Sequence, residues 1–291
     1  KDKPLDFSPG TSWNYSNSGY LLLGYIIQKV AKMPYEQAVR TYIFQPLQMT
    51  HSGFDFTHLS DKNKAVGYFT YTEKAKVPAT IVDSSVSLSA GAMYTTVGDL
   101  YKWHKGMQEN KIISAASAQK AYTPFKNNYG YGLGIDTIFG KRVIAHGGGI
   151  FGFNTNIARV TEDDVCVVLL NNSGNSFLSD INRSILAVLY GKSYELPKEK
   201  KEVKVSPAIL ATYAGQYELA PGTIATVSVA GEQLKIQVTG QPTFDLYGLS
   251  DTTFFLKVVE AELTFVKDNT GAVEKFILKQ NGKEMPAKKI K

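Results

Sequence analysis

The 291-residue sequence holds one cysteine, four histidines and two tryptophans. A single cysteine excludes an internal disulfide and any cysteine-based zinc cluster. Cys166 lies in the apolar run Val165-Cys166-Val167-Val168-Leu169-Leu170, where a thiol serves as a small core residue. The histidines, His51, His58, His104 and His146, lack metal-ligand spacing, so no metal or other cofactor is expected. No apolar run approaches the roughly 18–20 residues needed to span a bilayer. The longest, 21–27 and 165–170, suit a buried helix and a buried strand. The chain opens on Lys1-Asp2-Lys3-Pro4, without the apolar stretch of a signal peptide.

Hydrophobic residues at 43% and charged residues at 20% are ordinary for a soluble globular chain, long enough for one large domain or two smaller ones. The net charge of +6 does not describe a nucleic-acid surface. Many lysines fall in 192–204 and 283–291 without interleaved aromatics, as in a solvated linker and a frayed end. Nucleic acid is therefore not an expected partner.

Two rhythms divide the chain. Leu22, Ile26 and Val30 share one face of a helix following Asn17, and Pro34 opens a second over 35–44. Leu100, Trp103 and Met107 mark a third, with Thr96 and Asp99 as its start signal. Phe177, Ile181, Ile185 and Leu189 mark a fourth. Strands are predicted at 142–146, 154–160 and 165–171, the latter two joined at Glu162-Asp163-Asp164. Beyond the lysine-rich stretch, short alternating runs at 224–229, 234–238, 244–247, 253–258, 263–266 and 273–278 predict a barrel or sandwich of six to eight strands. Asn281-Gly282 is among its turn signals. The expected organisation is an α+β domain over 1–192, with helices flanking a largely antiparallel sheet, a linker over 193–206 and an all-β domain over 207–291.

Four segments could carry chemistry. Tyr15-Ser16-Asn17 precedes a helix and would also serve as a cap. His146-Gly147-Gly148-Gly149 ends a strand, either admitting a ligand close to the backbone or forming a flexible loop with a surface histidine. Ser89-Ala90-Gly91-Ala92 and Leu170-Asn171-Asn172 would each pass as turn chemistry.

Together with Phe44-Gln45-Pro46-Leu47, Asp99-Leu100-Tyr101-Lys102-Trp103 and Tyr129-Gly130-Tyr131-Gly132-Leu133-Gly134, their order is distinctive. Over roughly residues 4–190 the sequence resembles the serine β-lactamase-like family of class C β-lactamases, D-Ala-D-Ala carboxypeptidases, D-aminopeptidases and esterases. The tail from Tyr213-Ala214-Gly215-Gln216-Tyr217 resembles the small lipocalin-like barrel often appended to these hydrolases. The resemblance implies an antiparallel sheet flanked by helices, and amide or ester hydrolysis through an acyl-serine. Tyr15 matches the tyrosine of Tyr-x-Asn. A free phenol titrates near about 10, so cationic neighbours must help it act as a base. Asn17 matches the asparagine that holds the substrate carbonyl and orients a lysine. His146 stands where many relatives carry the lysine of Lys-Thr-Gly, which favours a peptidase or esterase over a true β-lactamase. Gly148 and Gly149 fall at the substrate and oxyanion position, with the Gly149 N–H as one donor.

The family's nucleophile comes from a Ser-x-x-Lys turn well before Tyr-x-Asn, yet only fourteen residues precede Tyr15. Ser117-Ala118-Gln119-Lys120 fits that string by chance, in a surface-helix sequence after the tyrosine. The expectation is a fragment lacking its nucleophile, inactive alone and exposing apolar surface. Its expected partners are a small-molecule or peptide substrate, and either the missing N-terminal segment or a second copy of the chain. The alternatives are a non-catalytic, penicillin-binding-like or regulatory protein that keeps the fold, and a barrel that takes a small apolar ligand. The resemblance implies a periplasmic or extracellular location.

Overall fold

The structure, a computed structural model, describes residues 4–71, 76–173, 178–194, 200–257, 261–280 and 283–291. The sequence features at Phe177, 195–199, Val258 and Asn281-Gly282 lie outside them. The chain divides into two compact units, Lys1–Glu195 and Leu196–Lys291.

In the first unit, α1 (Asn17–Ala31) starts where Ser16, extended at φ −141 and ψ 108, accepts a hydrogen bond from the Gly19 N–H. It ends at Lys32 in a left-handed turn, φ 54. Next, α2 (Tyr35–Val39) continues into a π-helical turn, Arg40–Phe44. The helix predicted over 35–44 thus forms, but Pro34 is its cap rather than its first residue, because ψ 146 leaves it extended. A hairpin of β1 (Tyr68–Tyr71) and β2 (Lys76–Pro78) follows, then α3 (Ser84–Ser87) and a 3-10 turn at Leu88–Ala90. Thr96 caps α4 (Val97–Gln108) by accepting from the Asp99 N–H, and Ser114 caps α5 (Ala115–Ala121).

Strands β3 (Gly134–Ile138), β4 (Lys141–Ile150), β5 (Phe153–Val160) and β6 (Val165–Asn171) form an antiparallel sheet in sequence order, followed by α6 (Leu178–Leu189). Neighbouring residues of a strand face opposite ways. Ile144 accordingly packs on Met107, Ala118 and Tyr122 beside α4 and α5. Val143 packs instead with Ala158, Val160 and Leu186 of α6.

The carboxylate of Asp99 ties α4 to the preceding loop. Buried, it accepts from the His51 N–H at 2.7 Å, the Ser52 hydroxyl at 2.9 Å and Lys102 Nζ at 2.9 Å. Burial alone would raise its pKa, but these three donors hold it below the usual carboxylate range. Asp99→Ala should lower stability by about 2 kcal/mol, since it leaves the His51 N–H without its acceptor and takes one of the two partners of the Ser52 hydroxyl. An unchanged urea midpoint would show that the tie is unimportant.

One expectation of burial is overturned on α1, whose sole buried residue is Gly24. The shared face forms, yet Leu22 is 65%, Ile26 53% and Val30 78% exposed.

In the second unit, α7 (Pro207–Tyr213) leads into eight strands. They are β7 (Gly215–Ala220), β8 (Thr223–Ala230), β9 (Gln233–Val238), β10 (Thr243–Gly248), β11 (Thr253–Phe255), β12 (Ala261–Lys267), β13 (Val273–Gln280) and β14 (Lys283–Lys289). They close into a barrel by pairing β14 with β7. Tyr213, Tyr217, Phe254, Phe265 and Phe276 fill it, with Tyr213 stacked on Phe265 at 4.1 Å. The expectation of a small apolar ligand meets an interior already packed with side chains. Part of the expected linker belongs to this unit. The Val203 N–H donates to the Gly248 carbonyl at 2.9 Å, Lys200 pairs with Glu262 at 2.9 Å, and Val205 packs on the core.

Candidate active site

The capping role of Tyr15-Ser16-Asn17 falls to Ser16. Asn17 is the first helical residue, and its exposed amide makes no hydrogen bond among the described residues. Tyr15, 46% exposed, stands just before the helix with its ring centroid 6.2 Å from that of His146. Residues 131 apart in sequence thus meet, and Asn17 lies at the adjacent turn start.

α1 is held by the Ser89 segment. The Ser89 hydroxyl donates to the Tyr20 carbonyl at 2.9 Å. A β-carbon at Gly24 would fall inside van der Waals contact of Ser89 Oγ, so only glycine permits this approach. The Asn171-Asn172 segment anchors the end of β6. Asn172 Nδ2 donates to the Val66 carbonyl at 2.8 Å, and the Tyr68 N–H donates to the Asn172 carbonyl at 3.0 Å.

His146-Gly147-Gly148-Gly149 is strand, not flexible loop. Gly147, Gly148 and Gly149 pair with Asn156, Thr155 and Asn154 of β5. On its other edge, β3 pairs only as far as Gly134 opposite Ala145. From His146 to Ile150 that edge has no strand partner among the described residues. Alternate residues along it present open backbone N–H and C=O groups, which is what an oxyanion site built from Gly148 or Gly149 needs.

The His146 ring meets Tyr129, whose Oη lies 3.0 Å from Nε2. Burial, reinforced by the Tyr20 and Tyr15 phenols, pushes the Tyr129 hydroxyl up to about 12. Trp13 packs on Tyr129 at 5.3 Å, and Tyr15 meets it edge-on at 6.2 Å. The tight turn 125–130 mounts this tyrosine, and Gly130 is required there because a β-carbon would collide with the Ala121 carbonyl.

Residues 1–191 match the beta-lactamase family. The chain belongs to that family. Residues 199–289 match a domain of unknown function, DUF3471. Penicillin-binding protein 4* of Bacillus subtilis (strain 168) is 28% identical over 98% of this chain and 68% of its own length. The octameric penicillin-binding protein homologue from Pyrococcus abyssi superposes with TM-score 0.59 at 27% identity, covering 97% of this chain and 66% of that one. The D-stereospecific amidohydrolase from Streptomyces sp. does so with TM-score 0.56 at 25% identity, covering 65% and 58%. The chain thus spans about two thirds or less of the length of these proteins.

Within this beta-lactamase-family unit, Ser117 and Lys120 lie exposed on α5, where Ser114 Oγ donates to Ser117 Oγ at 3.1 Å. They make no contact with Tyr15 or His146. Among the described residues no cluster of three or more His, Cys, Asp or Glu could hold a metal. Sequence reasoning missed the side chains of Tyr129 and Trp13. The Tyr129-Gly130-Tyr131-Gly132 string was a usable signal, since paired glycines around aromatics mark a turn that presents a ring.

Proposed function

We propose that this chain is the larger part of a serine hydrolase that cleaves amide or ester bonds through an acyl-serine. The observation that carries the reading is the meeting of Tyr15 with His146 beside the open glycine edge of β4. Tyr15 takes the proton of the attacking serine and returns it to the leaving group. The Asn17 amide holds the substrate carbonyl. His146 supports the proton network and, when protonated, attracts a substrate carboxylate. Gly148 and Gly149 line the edge, with the Gly149 N–H donating to the developing oxyanion.

The nucleophile is assigned to a segment outside residues 1–291, because Ser117 is spent on the face of a surface helix. The exposed apolar face of α1 suits a helix that such a segment covers. Histidine in place of the family's lysine supports a peptidase, amidase or esterase, and the likeness to a D-stereospecific amidohydrolase agrees with it.

The test is intact-mass analysis of the full-length protein with a fluorophosphonate and with penicillin, followed by peptide mapping. One adduct on a serine outside these 291 residues is expected, with no turnover by this chain alone. Attachment at Ser117 would overturn the assignment of the nucleophile. Absence of any adduct on a folded sample would favour the non-catalytic, regulatory reading.

A further inference from the structure

We propose that Tyr129 is a positioning residue for His146, its hydroxyl holding the neutral imidazole as the Nδ1–H tautomer. The inference rests on the reading that His146 belongs to the active site. It starts from the 3.0 Å contact between Tyr129 Oη and His146 Nε2. Tyr15, which the sequence pattern pairs with this histidine, reaches it only as a ring neighbour at 6.2 Å.

A neutral imidazole has one N–H and one bare nitrogen, and the partner of one nitrogen decides the state of the other. A phenol is a better donor than acceptor, because its lone pair is delocalised into the ring, whereas an imine nitrogen is a strong acceptor. The favoured pairing is therefore Tyr129 O–H donating to Nε2, with the imidazole proton on Nδ1. Tyr129 suits a permanent donor: with its pKa pushed up to about 12 it keeps its hydrogen throughout the neutral range.

Its mount is stiff. The Tyr129 N–H donates to the Lys126 carbonyl at 2.9 Å, the Phe125 N–H donates to the Tyr129 carbonyl at 2.9 Å, and Trp13 lies against the ring. His146 rides on β4, paired with Ile157 of β5. Two rigid elements thus fix both ends of the hydrogen bond. The imidazole makes no other hydrogen bond among the described residues. Nδ1–H is then its one remaining donor, free for a carbonyl or carboxylate oxygen of a bound substrate.

The test reads the tautomer directly. The chain is labelled with 15N-histidine, and two-bond 1H–15N correlations are recorded where the ring is neutral. Signals of His146 are assigned by their loss in His146→Gln. The expected wild-type pattern is a protonated Nδ1 and a bare Nε2. In Tyr129→Phe the tautomer ratio should move towards Nε2–H by about five-fold, the equivalent of one net hydrogen bond of about 1 kcal/mol. A wild-type ring with its proton on Nε2 would overturn the proposal. So would a ratio that Tyr129→Phe leaves unchanged in a variant whose backbone spectrum stays native. The wild-type measurement stands even if that variant does not fold. Because no turnover is read, the result is independent of whether the full-length protein forms an acyl-serine.

Discussion

Tyr15→Phe in the full-length protein is expected to slow acylation by about 10²–10⁴-fold, the usual loss on removing a general base. The size of the effect follows from what the substitution leaves intact. Tyr15 is 46% exposed and makes ring contacts with Tyr129 and His146 that phenylalanine can repeat. The deletion removes one hydroxyl and little packing, so stability should hold while the proton acceptor is lost. Stopped-flow acylation by a p-nitrophenyl ester, with a thermal melt on the same sample, makes the comparison. An acylation rate within about three-fold of wild type would remove Tyr15 from the role of base. A large loss accompanied by a large drop in melting temperature would assign it to structure.

Arg159→Met is expected to destabilise the first unit by about 2–3 kcal/mol, the cost of leaving buried acceptors without their donor. Arg159 is 1% exposed on β5, and no carboxylate contacts it directly among the described residues. Its Nε donates to His104 Nδ1 at 2.9 Å and a terminal nitrogen donates to the Tyr122 hydroxyl at 2.7 Å. The other terminal nitrogen reaches the His104 carbonyl and Gln108 Oε1, each at 3.4 Å. The guanidinium also lies over the Trp103 ring at 5.2 Å and the Tyr122 ring at 5.6 Å. Methionine fills the volume but leaves His104, Tyr122 and Gln108 without their donor. Arg159→Lys should recover little, because an ammonium cannot reproduce the fork.

The same network makes stability depend on acid. His104 Nδ1 accepts from Arg159, so the ring is neutral and its Nε2–H donates to Asp164 Oδ1 at 3.1 Å. Burial first, then the charge of Arg159 with a smaller effect from Lys105, lowers the imidazole pKa, while Asp164 opposes them. Tyr101 stacks on the ring and Tyr122 completes the surroundings of the guanidinium. The folded ring resists a proton that the unfolded chain accepts near about 6.5. The contribution is therefore whole above that pH and is lost progressively as the pH falls from there through the lower pKa of the folded ring. Urea midpoints between pH 7 and 5 should decline, and His104→Gln should flatten that slope. An equally steep slope in His104→Gln would place the acid sensitivity elsewhere.

Local chemistry made several elements legible. Thr96 and Asp99 marked the start of α4 because a cap needs only four consecutive residues. The alternating runs identified six barrel strands, whereas β7 and β14 were missed. β14 carries Pro286 and several lysines, which read as a frayed end. It tolerates that proline because it pairs with β7 only at Lys288 and Lys289. The strand read over 142–146 extends to Ile150. Three consecutive glycines give no β signal of their own, and only their pairing with 154–156 makes them a strand.

By itself the sequence determined the family and most of the elements, and it nominated Tyr15, Asn17, His146, Gly148 and Gly149 as the positions to test. Those features rest on residue types at short spacing, which periodicity and motifs report. Tertiary structure alone decided that His146 meets Tyr129, that Arg159 rests on His104, and that the apolar face of α1 stands exposed. Each depends on segments far apart along the chain being brought together or left uncovered. An amphipathic pattern states that a face is apolar and leaves open what covers it.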